Sequence, residues 1–412
     1  MNSPARNVID KTQEPFRVLM LDLWATVPYY TAYLSRALLA EGVDVQVASM
    51  TYYLDPGCFE SRGIKPDPGL LNLVGRYHLP RALRRVLKLA EGLLNLSALT
   101  VRSLFRRPDI VHIQYLSLLR SAFPVDFWFV SFCQWRGSKI VLTVHDLLPH
   151  DTAERYKEIF ANLYRRVDSL ICHSDHIKDR LQKEFNVPPQ KIAVIPHGPF
   201  FYDLPATDTS TIERQLGVAT GHRFALWQGI IFPYKGLDLL LSAWHRVEQQ
   251  NANLDLVVLG TGSPELTTSL EQQARSLGLQ RVRFNFRFAS VEELAASYRA
   301  AQTVIYPYRA ITTSGALATG LALGKPIIAS DLPVFRELLT NEKDALLVNP
   351  CHDQDLADAI IRSASDPELL ERLAAAVLQK DLGPKSWTSI AHKTEEVYVT
   401  LVLSRDQQMA HS

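Results

Sequence analysis

The chain has 412 residues, with 44 Lys and Arg against 43 Asp and Glu, 47% hydrophobic residues and 21% charged ones. At about 150 residues per domain, this length predicts two to three domains with a sizeable core and excludes wholesale disorder. The formal charge of +1 excludes a nucleic-acid binder held by bulk charge, though not a local basic patch. Cys58, Cys133, Cys172 and Cys351 form no C-x-x-C pair and read as free thiols of a reducing compartment, not as disulfides or zinc ligands. Met1–Pro15 lacks the apolar stretch of a secretory signal and reads as a loose leader. The most apolar window, Ile110–Trp135, is broken by Arg120 and Asp126, so no run approaches about 18 apolar residues. A cytoplasmic location is expected.

In chain order, short runs rich in Val, Ile and Leu alternate with longer helical patterns, the sequence form of β-α-β units around a buried parallel sheet. The first series predicts strands at Arg17–Leu23, Asp44–Ala48, Ile110–Gln114, Lys139–Val144, Ser169–His173 and Ala193–Ile195. A helix at Tyr30–Glu41 stops at Gly42. Pro196–Thr211 has the composition of a linker. The second series predicts strands at Phe224–Gln228, Leu254–Leu259, Val282–Phe286, Thr303–Tyr306, Pro326–Ser330 and Ala345–Val348. Helices fit at Leu237–Gln249, Pro264–Leu277, Val291–Ala300 and Ser314–Leu323. The expected organisation is a leader at 1–15, α/β domains at 16–200 and 201–385, a terminal helix at 386–405 and a tail at 406–412. Two doubly wound domains facing each other make a cleft at the C-terminal ends of their strands.

One segment interrupts the alternation. Leu73–Arg107 carries Arg76, Arg81, Arg84, Arg85, Lys88, Arg102, Arg106 and Arg107 against Glu91 alone, with Leu and Val interleaved at helical spacing. This suits a basic amphipathic insertion lying on an anionic membrane surface. It equally suits a solvated helix whose leucines pack on the first domain.

Two turns in the second half have the chemistry to hold phosphate. Gly229-Ile-Ile-Phe-Pro-Tyr-Lys-Gly236 follows a strand and opens a helix, so Lys235 can meet an anion beside free helix N–H groups. Tyr306-Pro-Tyr-Arg-Ala-Ile-Thr-Thr-Ser-Gly315 places Thr312, Thr313, Ser314 and Gly315 at the start of the next helix, where the commoner role is an N-cap. Their coincidence at two strand ends favours a diphosphate cradle. In the first half, His145 and Asp146 of Thr143-Val-His-Asp146 follow a strand directly and can orient a substrate hydroxyl. Gly260-Thr-Gly262 is half a dinucleotide fingerprint, Asp353-Gln-Asp355 reads as a helix cap, and His173-Ser-Asp-His176 lacks further metal ligands.

Taken in order, these motifs resemble the retaining glycosyltransferases of the GT-B fold, family 4. The resemblance rests on Pro108-Asp-Ile-Val-His-Ile-Gln114, Thr143-Val-His-Asp146, Ser174, Ile195-Pro-His-Gly198, Tyr234-Lys-Gly-Leu-Asp238, Gly260-Thr-Gly262, Gly324-Lys-Pro326 and Trp387…Tyr398. It implies two tandem Rossmann-like domains, with the last helix crossing back to the first. It also implies hexose transfer from a nucleotide-diphospho-sugar to a glycan or lipid-linked oligosaccharide, in bacterial polysaccharide biosynthesis, without a metal or other cofactor. Lys235 and His145 would be the catalytic pair. Lys235, Thr313, Ser314 and Gly315 would hold the donor phosphates, while Gly229, Thr312, Thr319 and Tyr308 would meet the donor sugar and nucleotide. Trp24, Tyr29, Tyr30 and Asp146 would meet the acceptor.

The sequence departs from the family pattern at three places. Ile311 and Thr319 stand where a pair of Glu residues is usual, which matches a branch carrying a Thr- or Gln-Ser-Gly turn. Ile230 and Phe232 stand where an Arg often precedes the lysine. Trp24-Ala-Thr-Val-Pro-Tyr-Tyr30 replaces a Gly-Gly loop and predicts an aromatic-walled acceptor site. The alternatives are a sugar-nucleotide-binding pseudoenzyme and a nucleotide-sugar epimerase. No nucleic-acid partner is expected, and the basic segment would place the chain at the inner face of the cell membrane.

Overall fold

The computed structural model describes residues 16–410 apart from 75–79, 117, 120–124, 150–152, 206–208, 251–252, 381 and 383. The expected leader, Arg76 and Arg120 therefore lie outside the described residues. Strands β1 (Arg17–Asp22), β2 (Asp44–Ala48), β3 (Ile110–Tyr115), β4 (Lys139–Thr143), β5 (Ser169–Cys172) and β6 (Ile192–Val194) form one sheet in the order β2-β1-β3-β4-β5-β6. Strands β7 (Arg223–Gln228), β8 (Leu254–Leu259), β9 (Val282–Asn285), β10 (Thr303–Tyr306), β11 (Ile327–Ser330) and β12 (Ala345–Val348) form a second, in the order β12-β11-β10-β7-β8-β9. Every pairing within both sheets is parallel. Helices cover the faces of each sheet, so the central strands are buried on both sides; all six residues of Leu254–Leu259 are, whereas the edge strands β2 and β9 are partly open.

In each sheet the chain steps first to one side and later to the other. The crossing points fall between β1 and β3 and between β7 and β10. Loops leaving neighbouring strands there diverge, and the crevice between them is where such sheets hold ligands. The turns singled out from sequence leave β7 and β10 at this place.

The two domains are fastened at several points. The terminal helix spans Pro384–Ala410, so the expected tail from 406 continues it through Ala410. Its Trp387 stacks on Tyr33, with ring centroids 5.5 Å apart and planes 14° apart, and donates Nε1–H to the Pro199 carbonyl at 2.8 Å. Gly198 is the surface under that indole, since a Cβ there would lie 2.3 Å from it. Across the opposite edge, the Glu337 carboxylate accepts the Asp175 and His176 N–H groups at 2.9 and 2.8 Å. A carboxylate of the second domain thus caps a helix of the first, Asp175–Phe185.

The basic segment forms a helix, Arg81–Phe105. Among the described residues no helix is long and apolar enough to cross a membrane.

Candidate active site

The wall from the second domain begins where β7 ends. Gly229 has φ +149, and the Lys235 side chain folds back over it, so that a Cβ on residue 229 would lie 2.7 Å from Nζ. Pro233–Lys235 is a single 3-10 turn closed by Gly236 at φ +64. A Cβ on Gly236 would lie 1.9 Å from the Pro307 carbonyl, so the lysine turn presses directly on the loop after β10. Arg309 locks the two together. Its N–H donates to the Tyr234 carbonyl at 2.7 Å, and its guanidinium grips both Asp238 oxygens at 2.8 and 2.7 Å and the Pro233 carbonyl at 2.7 Å. A bidentate pair of this kind fixes orientation as well as distance.

Lys235 is therefore a positioned ammonium. Burial pulls its pKa down to about 8, and the carboxylate of Asp146, from the first domain, draws it partly back up. The Tyr308 ring lies beneath, 5.8 Å from Nζ to its centroid. A half-buried ammonium with only a partial counter-charge is disposed to accept an anion.

Beside it, Ser314 caps the helix Gly315–Ala322, its Oγ accepting the Leu317 N–H at 3.1 Å. The helix's first N–H groups have no carbonyl to pair with inside the helix and give this end its positive potential. Thr313, Ser314 and Gly315 are half-buried, and Thr312 is buried. The helix tip abuts the interdomain linker, because a Cβ on Gly315 would lie 2.7 Å from Phe200 and 3.0 Å from His197.

The opposing wall comes from the C-terminal ends of β1, β4 and β5. The buried Asp22 carboxylate accepts the Thr26 and Val27 N–H groups at 2.8 and 2.9 Å, setting the loop before the helix Pro28–Ala40. Tyr30 sits within a ring of histidines, at centroid distances of 4.7 Å to His145, 5.3 Å to His173 and 5.0 Å to His197. Burial holds all three neutral. It pushes His145 well below 6.5, His173 to about 4 and His197 to about 3. His145 Nε2 pairs with Gln114 Oε1 at 3.0 Å. That oxygen only accepts, so Nε2 carries the ring proton and Nδ1 is unprotonated.

Several expected sites have different places. Tyr30 is 2% exposed and is a packing spacer, because it lies at an inward position of the helix that Pro28 opens. Tyr308 is 1% exposed; it shares an inward face with Tyr306 and is the floor beneath Lys235, not a surface for the donor. Thr319 is also buried. Its hydroxyl accepts the Phe200 N–H at 3.0 Å and donates to the Gly315 carbonyl at 2.8 Å, so it ties linker to helix. Trp24 packs on Gly92 of the basic helix with Lys88 over its ring at 5.2 Å. Tyr29 is half-buried and donates its hydroxyl to Asp55 at 3.0 Å. Lys235, Gly229, Tyr308 and the Thr313–Gly315 tip gather on one wall; His145 and Asp146 stand on the other. The sequence reading missed Arg309, Asp238, Gln114, His173, Phe200 and the role of His197. For His197 the available signal was the Pro196-His-Gly198 turn at the domain boundary.

Two doubly wound sheets whose crossing points face one another across a cleft define the GT-B class of fold. Residues 27–198 match the family model described as Glycosyltransferase Family 4, and residues 223–366 match that of Glycosyl transferases group 1. Each half of the chain therefore matches a glycosyltransferase family model, on a fold of the GT-B class. It is 28% identical over 307 residues to a D-inositol 3-phosphate glycosyltransferase of Nocardioides, covering 70% of this chain and 67% of that protein. It is 26% identical over 246 residues to the O-antigen chain mannosyltransferase RfbU of Salmonella typhimurium, covering 58% of this chain and 65% of that one. Among the curated relatives the matched stretch runs from about half to about two thirds of the relative's own length. The fold is similar to that of Anabaena HepE in complex with UDP and glucose, with a TM-score of 0.72 at 18% identity over 94% of this chain and 99% of that one.

Proposed function

We propose that this chain is a retaining hexosyltransferase that takes its sugar from a nucleotide-diphospho-sugar without a divalent cation. The observation that carries the reading is the half-buried Lys235 ammonium at the β7/β10 crossing point, folded over Gly229 in the same wall as a helix N-terminus. Negative charge builds on the departing diphosphate as the anomeric C–O bond breaks, and preformed positive potential there lowers the barrier. Lys235 and the amides at the Gly315 end supply that potential. The electron pair of the broken bond leaves with the diphosphate. The acceptor oxygen bonds the same carbon from the same face, and its proton passes to the departing oxygen. His145, neutral and held by Gln114, borders the reacting carbon, and Asp146 meets the acceptor beside it. Relatives named for transfer to D-inositol 3-phosphate and to O-antigen chains, and a fold relative holding UDP and glucose, support this donor class.

The acceptor we assign is a glycan or lipid-linked oligosaccharide, reached while the helix Arg81–Phe105 lies on an anionic membrane. Support comes from six leucines of that helix: Leu83, Leu87, Leu89, Leu93, Leu94 and Leu104 are exposed, while Leu96 and Leu99 pack on the domain. The deciding experiment incubates wild type and Lys235→Ala with nucleotide sugars and measures released nucleoside diphosphate. Slow release by wild type, accelerated by acceptor and lost in the variant, is expected. Donor converted with no nucleotide freed would identify an epimerase; binding without turnover would identify a scaffold.

A further inference from the structure

The helix Arg81–Phe105 turns its more polar side inward. Glu91, the segment's one acid, is buried and accepts the Leu73 N–H, and Asn95 accepts the Leu71 N–H at 2.7 Å while donating to the Leu71 carbonyl at 2.8 Å. Leu96 and Leu99 pack inward beside them, and what the described residues leave outside is an apolar stripe flanked by the half-buried Arg84 and Lys88. The stripe ends in Phe105, 87% exposed, and is extended by Trp128 and Trp135 on the helix Val125–Trp135. Arg136 joins the two, donating to the Leu104 carbonyl at 3.1 Å. An anionic bilayer complements both this apolar stripe and the cations that flank it, Arg84, Lys88, Arg106 and Arg136.

The last turns of the same helix border a pocket of ≈ 290 Å³ at the N-terminal edges of β1 and β2, the end of the sheet opposite the cleft. Two of its cations are already spent. Arg102 is paired with Asp67, which also accepts from Gln46 and the Gly69 N–H, and Arg107 is paired with Asp109. Arg17, Lys65 and Arg106 remain, with Asp44 the one acid of the lining besides the paired Asp67, and among the described residues the side chains of these three make no ion pair or hydrogen bond. The helix then leads away from this pocket for about 37 Å, at about 1.5 Å per residue. At its far end Lys88 lies over Trp24 and Arg84 over Tyr53, beside the loops that leave β1 and β2 toward the cleft.

We propose that this pocket binds the phosphate of an anionic phospholipid headgroup, anchoring the foot of the first domain while the helix lies along the bilayer and brings the cleft rim to the lipid surface. The proposal rests on the membrane reading above. Uncompensated guanidinium and ammonium groups recognise phosphate, and the neighbouring Leu104, Phe105 and Trp135 give the attached acyl chains an apolar path that a free phosphate would not need.

The test uses the full chain, a pocket variant (Lys65→Gln with Arg106→Gln) and a face variant (Val86→Asn with Leu94→Asn), all at exposed positions. The probes are phosphatidylcholine vesicles with and without phosphatidylglycerol, soluble dihexanoyl phosphatidic acid, and inorganic phosphate. Wild type should float only with phosphatidylglycerol vesicles and bind the short-chain lipid saturably. The pocket variant should lose that saturable binding, and roughly fivefold in vesicle affinity per charge removed. The face variant should lose flotation but keep the short-chain lipid. Short-chain binding unchanged in the pocket variant, or inorganic phosphate binding as tightly as the lipid, overturns the headgroup pocket and leaves the membrane reading to the face variant. Wild type that stays off phosphatidylglycerol vesicles overturns the membrane reading itself.

Discussion

If Lys235 receives the diphosphate, nucleotide binding must follow the lysine's proton. Burial has lowered its pKa to about 8, with Asp146 opposing part of the shift, so the cation is present below pH 8 and lost above it. Taking that value, the protonated fraction is about ten elevenths at pH 7 and about one eleventh at pH 9, a tenfold change. If only the ammonium form binds, the dissociation constant of a nucleoside diphosphate rises about tenfold over that interval, or about 1.4 kcal/mol. The ligand's terminal phosphate, with its second ionisation near pH 6, is already charged across this range and contributes little slope.

Calorimetric titration with UDP, GDP and ADP at pH 7, 8 and 9 reads this directly. Binding near pH 8 should also take up protons, because the diphosphate restores the charge that burial disfavours; buffers of different ionisation enthalpy will reveal the uptake. Lys235→Arg should bind with no slope, since a guanidinium does not titrate there. Asp146→Asn should move the midpoint to lower pH by removing the carboxylate that sustains the ammonium. Lys325 is the necessary control. Burial also lowers its pKa to about 8, but its ammonium is spent on the Arg299 carbonyl at 2.9 Å, so Lys325→Met should keep the slope. An affinity that is flat in wild type, or a slope that survives Lys235→Ala, refutes the assignment.

Three further outcomes follow from the packing. Arg309→Ala frees the turn carrying Lys235 and should lower kcat/KM by roughly 10- to 100-fold, the scale of an ångström's misplacement. With Asp238→Ala added, the double variant should be little worse than either single one, because both remove the same clamp; steady-state kinetics on the cycle will decide. Gly229→Ala forces a side chain into φ +149 and into the space of Lys235 Nζ, so it should abolish the pH slope of nucleotide binding. Trp387→Ala empties a buried site against Tyr30 and Tyr33 and should cost about 3–5 kcal/mol in urea unfolding.

The strands were legible because parallel sheets covered on both faces need mostly apolar runs, and Leu254–Leu259, Thr303–Tyr306 and Ala345–Val348 stand where the sequence puts them; the edge strand Asp44–Ala48 shows instead the alternation of a half-covered strand. The lysine turn was legible because Pro233 and Gly236 punctuate it. Burial of single aromatics was not. Tyr29 and Tyr30 are adjacent and chemically alike, yet the start of a helix at Pro28 turns one toward Asp55 and seals the other among histidines. The Arg309–Asp238 clamp spans 71 positions and the Glu337 cap 162, so neither leaves a local signal. The basic helix misleads for a physical reason. Amphipathic periodicity fixes that one face is apolar but not which way it points, and here Glu91 and Asn95 find backbone partners in 71–74 that draw the polar side inward.

The neutral histidines bear on how the cleft senses the terminal helix. His145 donates to Gln114 Oε1, and Gln114 Nε2 stands 3.1 Å from His112 Nε2, which also meets Thr143 Oγ1 at 2.8 Å; His112 Nδ1 pairs with the Tyr398 hydroxyl. With Gln114 donating, His112 Nε2 must accept, so His112 carries its proton on Nδ1 and donates to Tyr398. The tautomer of His145 is thereby fixed through two buried side chains by a residue of the last helix. Tyr398→Phe removes the final acceptor and leaves the His112 N–H unpaired in a dry site, a loss of about 1–3 kcal/mol unless the ring changes tautomer. If the ring does change, Nε2–H can donate to Thr143 Oγ1 while the Gln114 amide loses its nitrogen acceptor and keeps only Met20 Sδ, which loosens the oxygen that orders His145. Imidazole nitrogen shifts, read by NMR on the variant, separate the two cases. An unchanged His145 tautomer together with unchanged stability would mean that the chain of contacts carries no information to the cleft.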